Sequence, residues 1–151
     1  MFVSEGSLVI RSFIAIAVSN SVLEPCQRIS RHLRELQVDG RFLRSESIHL
    51  TLNFLGNIEP EVVSEVVEIL KPAACETASF DLQVQGVGVS PHLTLVRIKS
   101  RKNLSKLVRY VQTIGLNERA GQIRARDIHL YQSILKPQGA EYCKLQTAEL
   151  S

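Results

Sequence analysis

A four-residue phrase, His-Leu-Thr-Leu, occurs twice in this chain, and its repetition limits the possible folds more than any other feature of the sequence. The first copy is residues 49–52 and the second is residues 92–95. Side chains alternate between the two faces of an extended strand, so each copy predicts a strand with His and Thr on one face and two leucines on the other. Because the phrase repeats once and not periodically, it predicts two related lobes and not a solenoid, which needs several repeats to bury its core.

The two faces that carry histidine and threonine suggest a functional site. Brought together, two such strands form a cleft into which two imidazoles and two hydroxyls point. Imidazole can take or give a proton near neutral pH, because its ordinary pKa lies in that range. For a single copy of the phrase, a half-buried strand is the simpler interpretation. An identical second copy favours a paired functional role.

The composition is that of an ordinary globular protein: of 151 residues, 44% are hydrophobic and 22% are charged. This length is most simply one domain. No apolar stretch approaches the length needed to span a bilayer, so we expect no membrane partner. Three cysteines without CxxC spacing argue for a reducing compartment, and we therefore expect a cytoplasmic location. The net charge of +3 allows a polyanionic partner without requiring one.

Hydrophobic periodicity and turn residues predict three helices and a larger number of strands. Apolar residues at spacings of three and four, after a capping residue or proline, mark the helices. The predicted helices run from Ser19 or Asn20 to a stop at Gly40, from Glu59 and Pro60 to an end at Pro72, and from Asn103 to Gly115. The predicted strands are 13–18, 41–44, the two strands that carry the phrase, 79–89, 123–135 and 141–150, with a turn at 136–139.

This order of elements predicts the fold class. It fits an α+β fold with two lobes, in which duplicated antiparallel sheets carry helices on the outside and enclose a central cleft. Gly86 and Gly88 lack the helix-opening context of a nucleotide-binding loop, so they are interpreted as a bend or bulge.

Four segments together resemble one known family. Residues 11–16 resemble its opening strand, 49–56 its first motif with the trailing Phe-Leu-Gly, 92–97 its second motif with a basic residue three positions after the threonine, and 131–142 its closing hairpin. The family is the 2H phosphoesterase superfamily with its paired His-x-Thr motifs, in particular the RNA 2′,3′-cyclic phosphodiesterase branch, historically called 2′-5′ RNA ligase. Residues 1–10 are then expected to be an N-terminal extension to a single domain at 11–151.

The resemblance implies an enzyme that hydrolyses a 2′,3′-cyclic phosphate at the end of RNA, leaves a 2′-phosphate and needs no cofactor. It implies that His49 is the general acid for the departing O3′ and that His92 is the base that activates water. The hydroxyls of Thr51 and Thr94 can hold the non-bridging phosphate oxygens, where charge builds up. If an RNA 5′-hydroxyl replaced the water, the reverse chemistry would form a 2′-5′ linkage.

Arg97 completes the second motif, and two arguments about it disagree. The resemblance implies that Arg97 contacts the phosphate. It lies an odd number of positions from His92, however, so ideal alternation places it on the opposite face of the strand. Only a bulge or a strong twist would bring its guanidinium to the phosphate.

The chain departs from the family between strand 79–89 and the second motif. Family members have a partner strand and a helix there, whereas here Pro91 leads directly into His92. Either this segment is deleted, or the sequence omits it and the backbone would be broken at this junction. With a deletion, we expect an incomplete second lobe and an exposed edge at strand 79–89. We then expect a monomer, with dimerisation through strand 79–89 as the alternative.

Two other functions are considered. His49, His92 and His129 would be the nitrogen ligands of a zinc site, but no carboxylate or cysteine spacing accompanies them, and we expect no metal. A chain that kept the cleft and lost its competent geometry would be a non-catalytic RNA- or nucleotide-binding module. The substrate of an active chain is either RNA with a 2′,3′-cyclic phosphate or a small cyclic nucleotide.

Basic and aromatic residues near the motifs are weaker indications of RNA binding. Most of the cations are interpreted as solvated surface and some as contacts to an RNA backbone. They are Arg41, Arg44, Lys99, Arg101, Lys102, Arg124 and Arg126. Stacking of bases would rest on Phe42, Phe54 or Tyr131.

Overall fold

A computed structural model of the chain describes residues 8–88 and 92–151. Its helices and strands confirm the predicted α+β class. In chain order they are β1 (Ile10–Ala17), α1 (Asn20–Glu35), β2 (Gly40–Phe42), β3 (His49–Ile58), α2 (Pro60–Cys75), β4 (Phe80–Gln85), β5 (Val96–Ile98), α3 (Leu104–Thr113), β6 (Arg119–Ala125), β7 (Asp127–Lys136) and β8 (Gly139–Glu149). Within the described residues, no helix is long and apolar enough to cross a membrane.

The chain divides into two compact units, each assembled from separate stretches of sequence. The described part of unit 1 is residues 8–16, 51–79 and 125–151. Unit 2 is residues 17–50 and the described residues of 80–124. One boundary falls between Leu50 and Thr51, so the first copy of the phrase contributes to both units. The predicted N-terminal extension lies largely outside the described residues, and its last residue, Ile10, already belongs to β1.

Unit 1 is built on a four-stranded sheet with the strand order β3-β1-β7-β8. β1 pairs antiparallel with β7, and β7 pairs antiparallel with β8. Leu70 and Ala74 of α2 pack against Leu130 of β7 and Ala148 of β8. The predicted closing hairpin is confirmed: Lys136 and Gly139 pair across a two-residue turn that begins with proline, where a fixed φ favours a turn.

Unit 2 buries one face of α1 against α3. Ile29 and Leu33 of α1 form a cluster with Tyr110 of α3. The Tyr110 hydroxyl donates a hydrogen bond to Glu118 Oε1 at 2.8 Å, and Arg28 Nη1 donates to Glu118 Oε2 at 3.1 Å. Burial, together with this carboxylate, raises the pKa of Tyr110 to about 12. The carboxylate of Glu118 is therefore both paired and hydrogen-bonded, which is what a largely buried charge requires.

The strands of unit 2 form two separate two-stranded sheets, β2 with β5 and β4 with β6. Side chains of β4 and β6 contact one another in opposite order along the two strands, as in an antiparallel pair: Gln85 with Arg119, Gln83 with Gln122 and Asp81 with Arg124. β6 is the one strand that pairs with β4 within residues 8–88 and 92–151. This is the arrangement expected if a strand between the two sheets were absent. An incomplete second lobe stays a prediction, because Pro91 and the junction lie outside the described residues.

Two predicted strands are wrong in their limits. The strand predicted at 123–135 is broken at Arg126, because β6 pairs with β4 whereas β7 pairs with β1 and β8. Periodicity does not reveal such a change of sheet. The strand predicted at 79–89 ends at Gln85, because Gly86 adopts a φ of 74°, a backbone conformation that turns the chain out of a strand.

Two predicted helix ends are also wrong. α2 continues through Pro72 to Cys75, since a proline in the last turn removes a single backbone hydrogen bond and its own carbonyl still accepts one from Glu76. α1 ends at Glu35, and Gln37 takes the positive φ that was expected of a glycine stop. Gly40 instead begins β2, where a Cβ atom would lie 2.7 Å from Val96 Cγ2.

Candidate active site

The first copy of the phrase lies at the beginning of β3, as predicted. His49 is the first residue of the strand and is half-buried, and Thr51 is exposed. The prediction that the leucines of this strand face the core is wrong for Leu52, which is 50% exposed. Residues 51–54 are all exposed, so neither face of this stretch of β3 is buried. Contact with the core returns at Leu55, which packs against the cluster that contains Leu70 and Leu130.

The second copy of the phrase is not a strand, which corrects the prediction. His92 is exposed, Thr94 is half-buried, and β5 begins only at Val96. β2 is the partner of β5 and has three residues, with one further hydrogen bond from Leu43 N–H to the Leu95 carbonyl at 2.9 Å. After Leu43, the segment that follows β2 enters a 3-10 turn at Ser45–Ser47. The pairing that would extend β5 back to His92 therefore stops.

Arg97 acts electrostatically on His49. Burial is the largest cause that lowers the pKa of His49; a hydrogen bond with the backbone of Ser47 opposes it, and the positive charge of Arg97 lowers the pKa further. The guanidinium is therefore close enough to His49 for its charge to reach the imidazole. The alternation argument from His92 does not apply, because no strand joins His92 to Arg97. A phosphate contact by Arg97 stays a prediction.

Arg41 lies directly opposite Arg97 in the pairing of β2 with β5. Directly opposed residues of an antiparallel pair project from the same face, with Cβ atoms about 5 Å apart. The next pair, Phe42 and Val96, packs into the α1–α3 cluster, so the two exposed arginines project from the other face. Like charges in this position destabilise a sheet, and an anion between them would remove the repulsion. The sequence analysis named Arg41 only among the cations that flank the motifs, because its register with Arg97 is not visible in the sequence.

His129, the third ligand in the zinc hypothesis, already has polar partners within unit 1. It is 3% exposed, with Nε2 3.0 Å from Asp127 Oδ1 and Nδ1 2.9 Å from Thr147 Oγ1. Burial lowers the pKa of His129, Asp127 opposes this, and Lys144 adds to it. A zinc ion would have to displace one of the two hydrogen-bond partners. In the part of the chain that the structure describes, no three His, Cys, Asp or Glu side chains are arranged to hold a metal.

Each aromatic ring proposed for base stacking has a partner in its own unit. The Arg34 guanidinium lies 4.3 Å from the centre of the Phe42 ring, and that of Arg11 lies 4.9 Å from the Phe54 ring. Phe13 stacks on Tyr131 with ring centres 5.2 Å apart. One face of each of these rings is therefore already covered.

Comparison with known proteins identifies the family. The LigT like Phosphoesterase family matches residues 16–91, half of the chain. An RNA 2′,3′-cyclic phosphodiesterase from Aquifex aeolicus is 29% identical over 90 residues, which cover 60% of this chain and 47%, about half, of that protein. A protein of the same name from Methanothermobacter thermautotrophicus is 20% identical over 183 positions, which cover 93% of this chain and 99% of that protein.

A solved structure shows the same fold. The crystal structure of a Thermus thermophilus protein matches with a TM-score of 0.69 and 20% identity, over 93% of this chain and 98% of that chain. The Methanothermobacter alignment is longer than the 151 residues of this chain, so that relative contains residues without a counterpart here. With the family matching half of the sequence and the fold matching almost all of it, the chain belongs to the LigT-like phosphoesterase family.

Proposed function

We propose that this chain hydrolyses 2′,3′-cyclic phosphate ends of RNA to 2′-phosphomonoesters by acid–base catalysis with His49 and His92. Membership of the family and the shared name of the relatives support a cyclic phosphodiesterase, a hydrolase of phosphoric diesters. The observation that carries the proposal is the half-buried imidazole of His49 within the field of Arg97. A proton donor beside a fixed cation is what a cyclic phosphate with a departing alkoxide needs.

The reaction requires two proton transfers on opposite sides of phosphorus. His92 takes a proton from water as the water oxygen bonds to phosphorus. The bond from phosphorus to O3′ breaks, and His49 gives its proton to the departing oxygen. Each transfer is typically worth about a hundredfold to ten-thousandfold in rate.

The lowered pKa of His49 makes its role as acid depend on the substrate. Burial and Arg97 favour the neutral imidazole in the free protein, whereas a general acid must start protonated. A bound cyclic phosphate brings a negative charge that offsets the charge of Arg97 and favours the imidazolium. Substrate binding would therefore favour protonation of His49, and the departing O3′ receives this proton.

Residues that flank the two histidines neutralise and bind the phosphate. Arg97 and its cross-strand neighbour Arg41 neutralise the phosphate, which in turn relieves their mutual repulsion. The hydroxyls of Thr51 and Thr94 donate hydrogen bonds to the non-bridging oxygens. With side chains supplying both the protons and the phosphate contacts, the proposed reaction uses no cofactor and no metal.

The same proposal covers location and assembly. All three cysteines, Cys26, Cys75 and Cys143, are free. Free thiols persist where the surroundings are reducing, which supports a cytoplasmic location. We infer that the chain acts as a monomer on RNA ends or on small cyclic nucleotides.

The decisive experiment is incubation of the protein with an RNA that ends in a 2′,3′-cyclic phosphate. The product is compared by chromatography with standards that carry a 2′- or a 3′-phosphate. We expect the 2′-phosphate alone. A 3′-phosphate would overturn the assignment of O3′ as the leaving group, and tight binding without turnover would make the chain a binding module. Adding RNA with a 5′-hydroxyl tests whether a 2′-5′ linkage forms in the reverse direction.

A further inference from the structure

A pocket of about 390 Å³ lies in unit 2 beside the segment that leads to His49. One wall is α1, which contributes Ser30, Arg31 and Arg34. The other wall is the segment between β2 and β3, which contributes Arg44 and ends with Ile48. Ile48 is joined directly to His49, and consecutive Cα atoms are about 3.8 Å apart. The pocket is therefore a neighbour of the proposed catalytic histidine along the chain.

The pocket carries an excess of positive charge that the protein itself does not neutralise. Its lining has three arginines, Arg31, Arg34 and Arg44, and one acidic residue, Glu46. Among residues 8–88 and 92–151, none of these three guanidinium groups forms an ion pair, whereas Arg28 of the same helix pairs with Glu118. Unpaired arginines around a concave surface favour a phosphate ligand, which they can hold through paired hydrogen bonds.

The geometry of the walls suits more than a lone phosphate. Arg34 is held by one face against the ring of Phe42, so the opposite face of its guanidinium is available to stack on a base. Ser30 is largely buried in the pocket wall, and the Gln27 side chain donates a hydrogen bond to the Ser45 hydroxyl between the two walls. A volume near 390 Å³ is within the range of pockets for small molecules of nucleotide size.

We propose that this pocket binds the penultimate nucleotide of the RNA, which precedes the nucleotide that carries the cyclic phosphate. Arg31 and Arg44 hold the phosphodiester that joins the two nucleotides, and the base of the penultimate nucleotide lies against Arg34. The proposal rests on the proposed function, because that function places the terminal phosphate at His49. It assigns RNA chains of two or more nucleotides, and not mononucleoside cyclic phosphates, as the preferred substrate class.

The test compares two product-like probes by isothermal titration calorimetry: adenosine 2′-phosphate and the dinucleotide adenylyl-adenosine with a terminal 2′-phosphate. We expect the wild type to bind the dinucleotide at least about tenfold more tightly, the scale of one hydrogen bond to a charged group. The dinucleotide affinity should also fall more steeply with salt. In the Arg31→Gln/Arg44→Gln double variant the preference should disappear. Lys71→Gln on α2 is the matched control and should keep it.

Each outcome decides a separate point. Equal affinity of the wild type for the two probes would contradict the pocket proposal, whether or not the protein is an active enzyme. A preference that survives in the double variant, with an unchanged circular dichroism spectrum, would remove Arg31 and Arg44 from the binding site. The wild type could prefer the dinucleotide product and yet hydrolyse neither the mononucleotide nor the dinucleotide when each ends in a 2′,3′-cyclic phosphate. That result would support the pocket and overturn the proposed function.

Discussion

His49 and His92 come from the same four-residue phrase but lie in different surroundings. His49 is half-buried at the start of β3, next to the backbone of Ser47 and within the field of Arg97. His92 is exposed and precedes β5 without being part of a strand. An imidazole beside a cation responds to a bound anion, whereas an exposed imidazole has access to water. This asymmetry is consistent with His49 as the acid and His92 as the base.

Replacement of either histidine by alanine should reduce the rate of hydrolysis by about a hundredfold to ten-thousandfold, because each has its own proton to move. The measurement is single-turnover hydrolysis of RNA that ends in a 2′,3′-cyclic phosphate. The far-ultraviolet circular dichroism spectrum should not change. In the wild type, the rate should be bell-shaped with pH and report the coupled pair. Near-normal turnover in His49→Ala or His92→Ala would refute the two-histidine mechanism.

Arg97→Gln should raise the pKa of His49 in the free protein. The sign follows from charge: removal of a neighbouring cation removes the repulsion that opposes protonation of the imidazole. Burial would still hold the value below the ordinary range, since burial is the larger cause. The measurement is an NMR titration of the His49 ring protons without substrate. Arg109→Gln on α3 is the control and should leave the titration unchanged; an unaltered titration in Arg97→Gln would show that the two groups do not interact.

At the scale of elements, the short pairing of β2 with β5 determines where Arg41 and Arg97 lie. The pair contains three residues from each strand. One face, through Phe42 and Val96, belongs to the α1–α3 core, and the other presents the two arginines. Close approach of the strands requires a glycine at position 40, where a Cβ atom would lie 3.1 Å from the Arg97 carbonyl oxygen.

Gly40→Ala should destabilise the protein by about 1–3 kcal/mol, the usual cost of overpacking. The new methyl group would meet Val96 Cγ2 at 2.7 Å as well as the backbone of Arg97. Since β5 would have to shift, we also expect slower hydrolysis. Unfolding in urea measures the stability. Gly88→Ala is the matched control, because its Cβ would meet no described heavy atom within 4 Å; an equal loss in both variants would show that the contact is not the cause.

At the scale of the whole molecule, the chain crosses between its two units several times. Unit 1 gathers residues 8–16, 51–79 and 125–151, and unit 2 holds the stretches between them. Each unit has its own apolar cluster, Leu70 with Leu130 in unit 1 and Ile29 with Tyr110 in unit 2. The phrase at 49–52 contributes its first two residues to unit 2 and its last two to unit 1. Each unit is therefore built from stretches that are distant in the sequence.

Exhaustive chelation should leave the rate of hydrolysis unchanged. In the proposed mechanism, the protons come from imidazoles and the phosphate is neutralised by arginines, so no step requires a metal. The measurement is activity after dialysis against a strong chelator, compared with buffer alone. Activity that is lost on chelation and restored by zinc would favour metal catalysis.

The chain should be a monomer of 16.9 kDa in solution. β4 is short, and one face of the β4–β6 pair carries polar and charged side chains such as Asp81 and Gln83, features that discourage pairing of strand edges between molecules. Light scattering at several protein concentrations measures the mass. A dimer that reverts to monomer in Leu82→Lys would instead show that the edge of β4 is an interface.

Much of this protein could be predicted from the sequence, because the relevant signals are local. The α1 stripe, Pro60 at the start of α2 and the turn at Pro137 depend on residues a few positions apart. The first phrase forms a strand as predicted, and β3 pairs with β1. The family resemblance likewise rests on short runs of residues.

Only the tertiary structure decided the features that depend on pairing between distant residues. The break at Arg126 exists because β6 and β7 join different sheets. Leu52 is exposed because neither face of β3 is buried over residues 51–54. The second phrase is not a strand because β2 ends where a partner would be needed, and Arg41 meets Arg97 because of the register between β2 and β5. Sequence patterns specify which residues share a face, whereas register and the covering of that face arise from contacts between residues far apart in the chain.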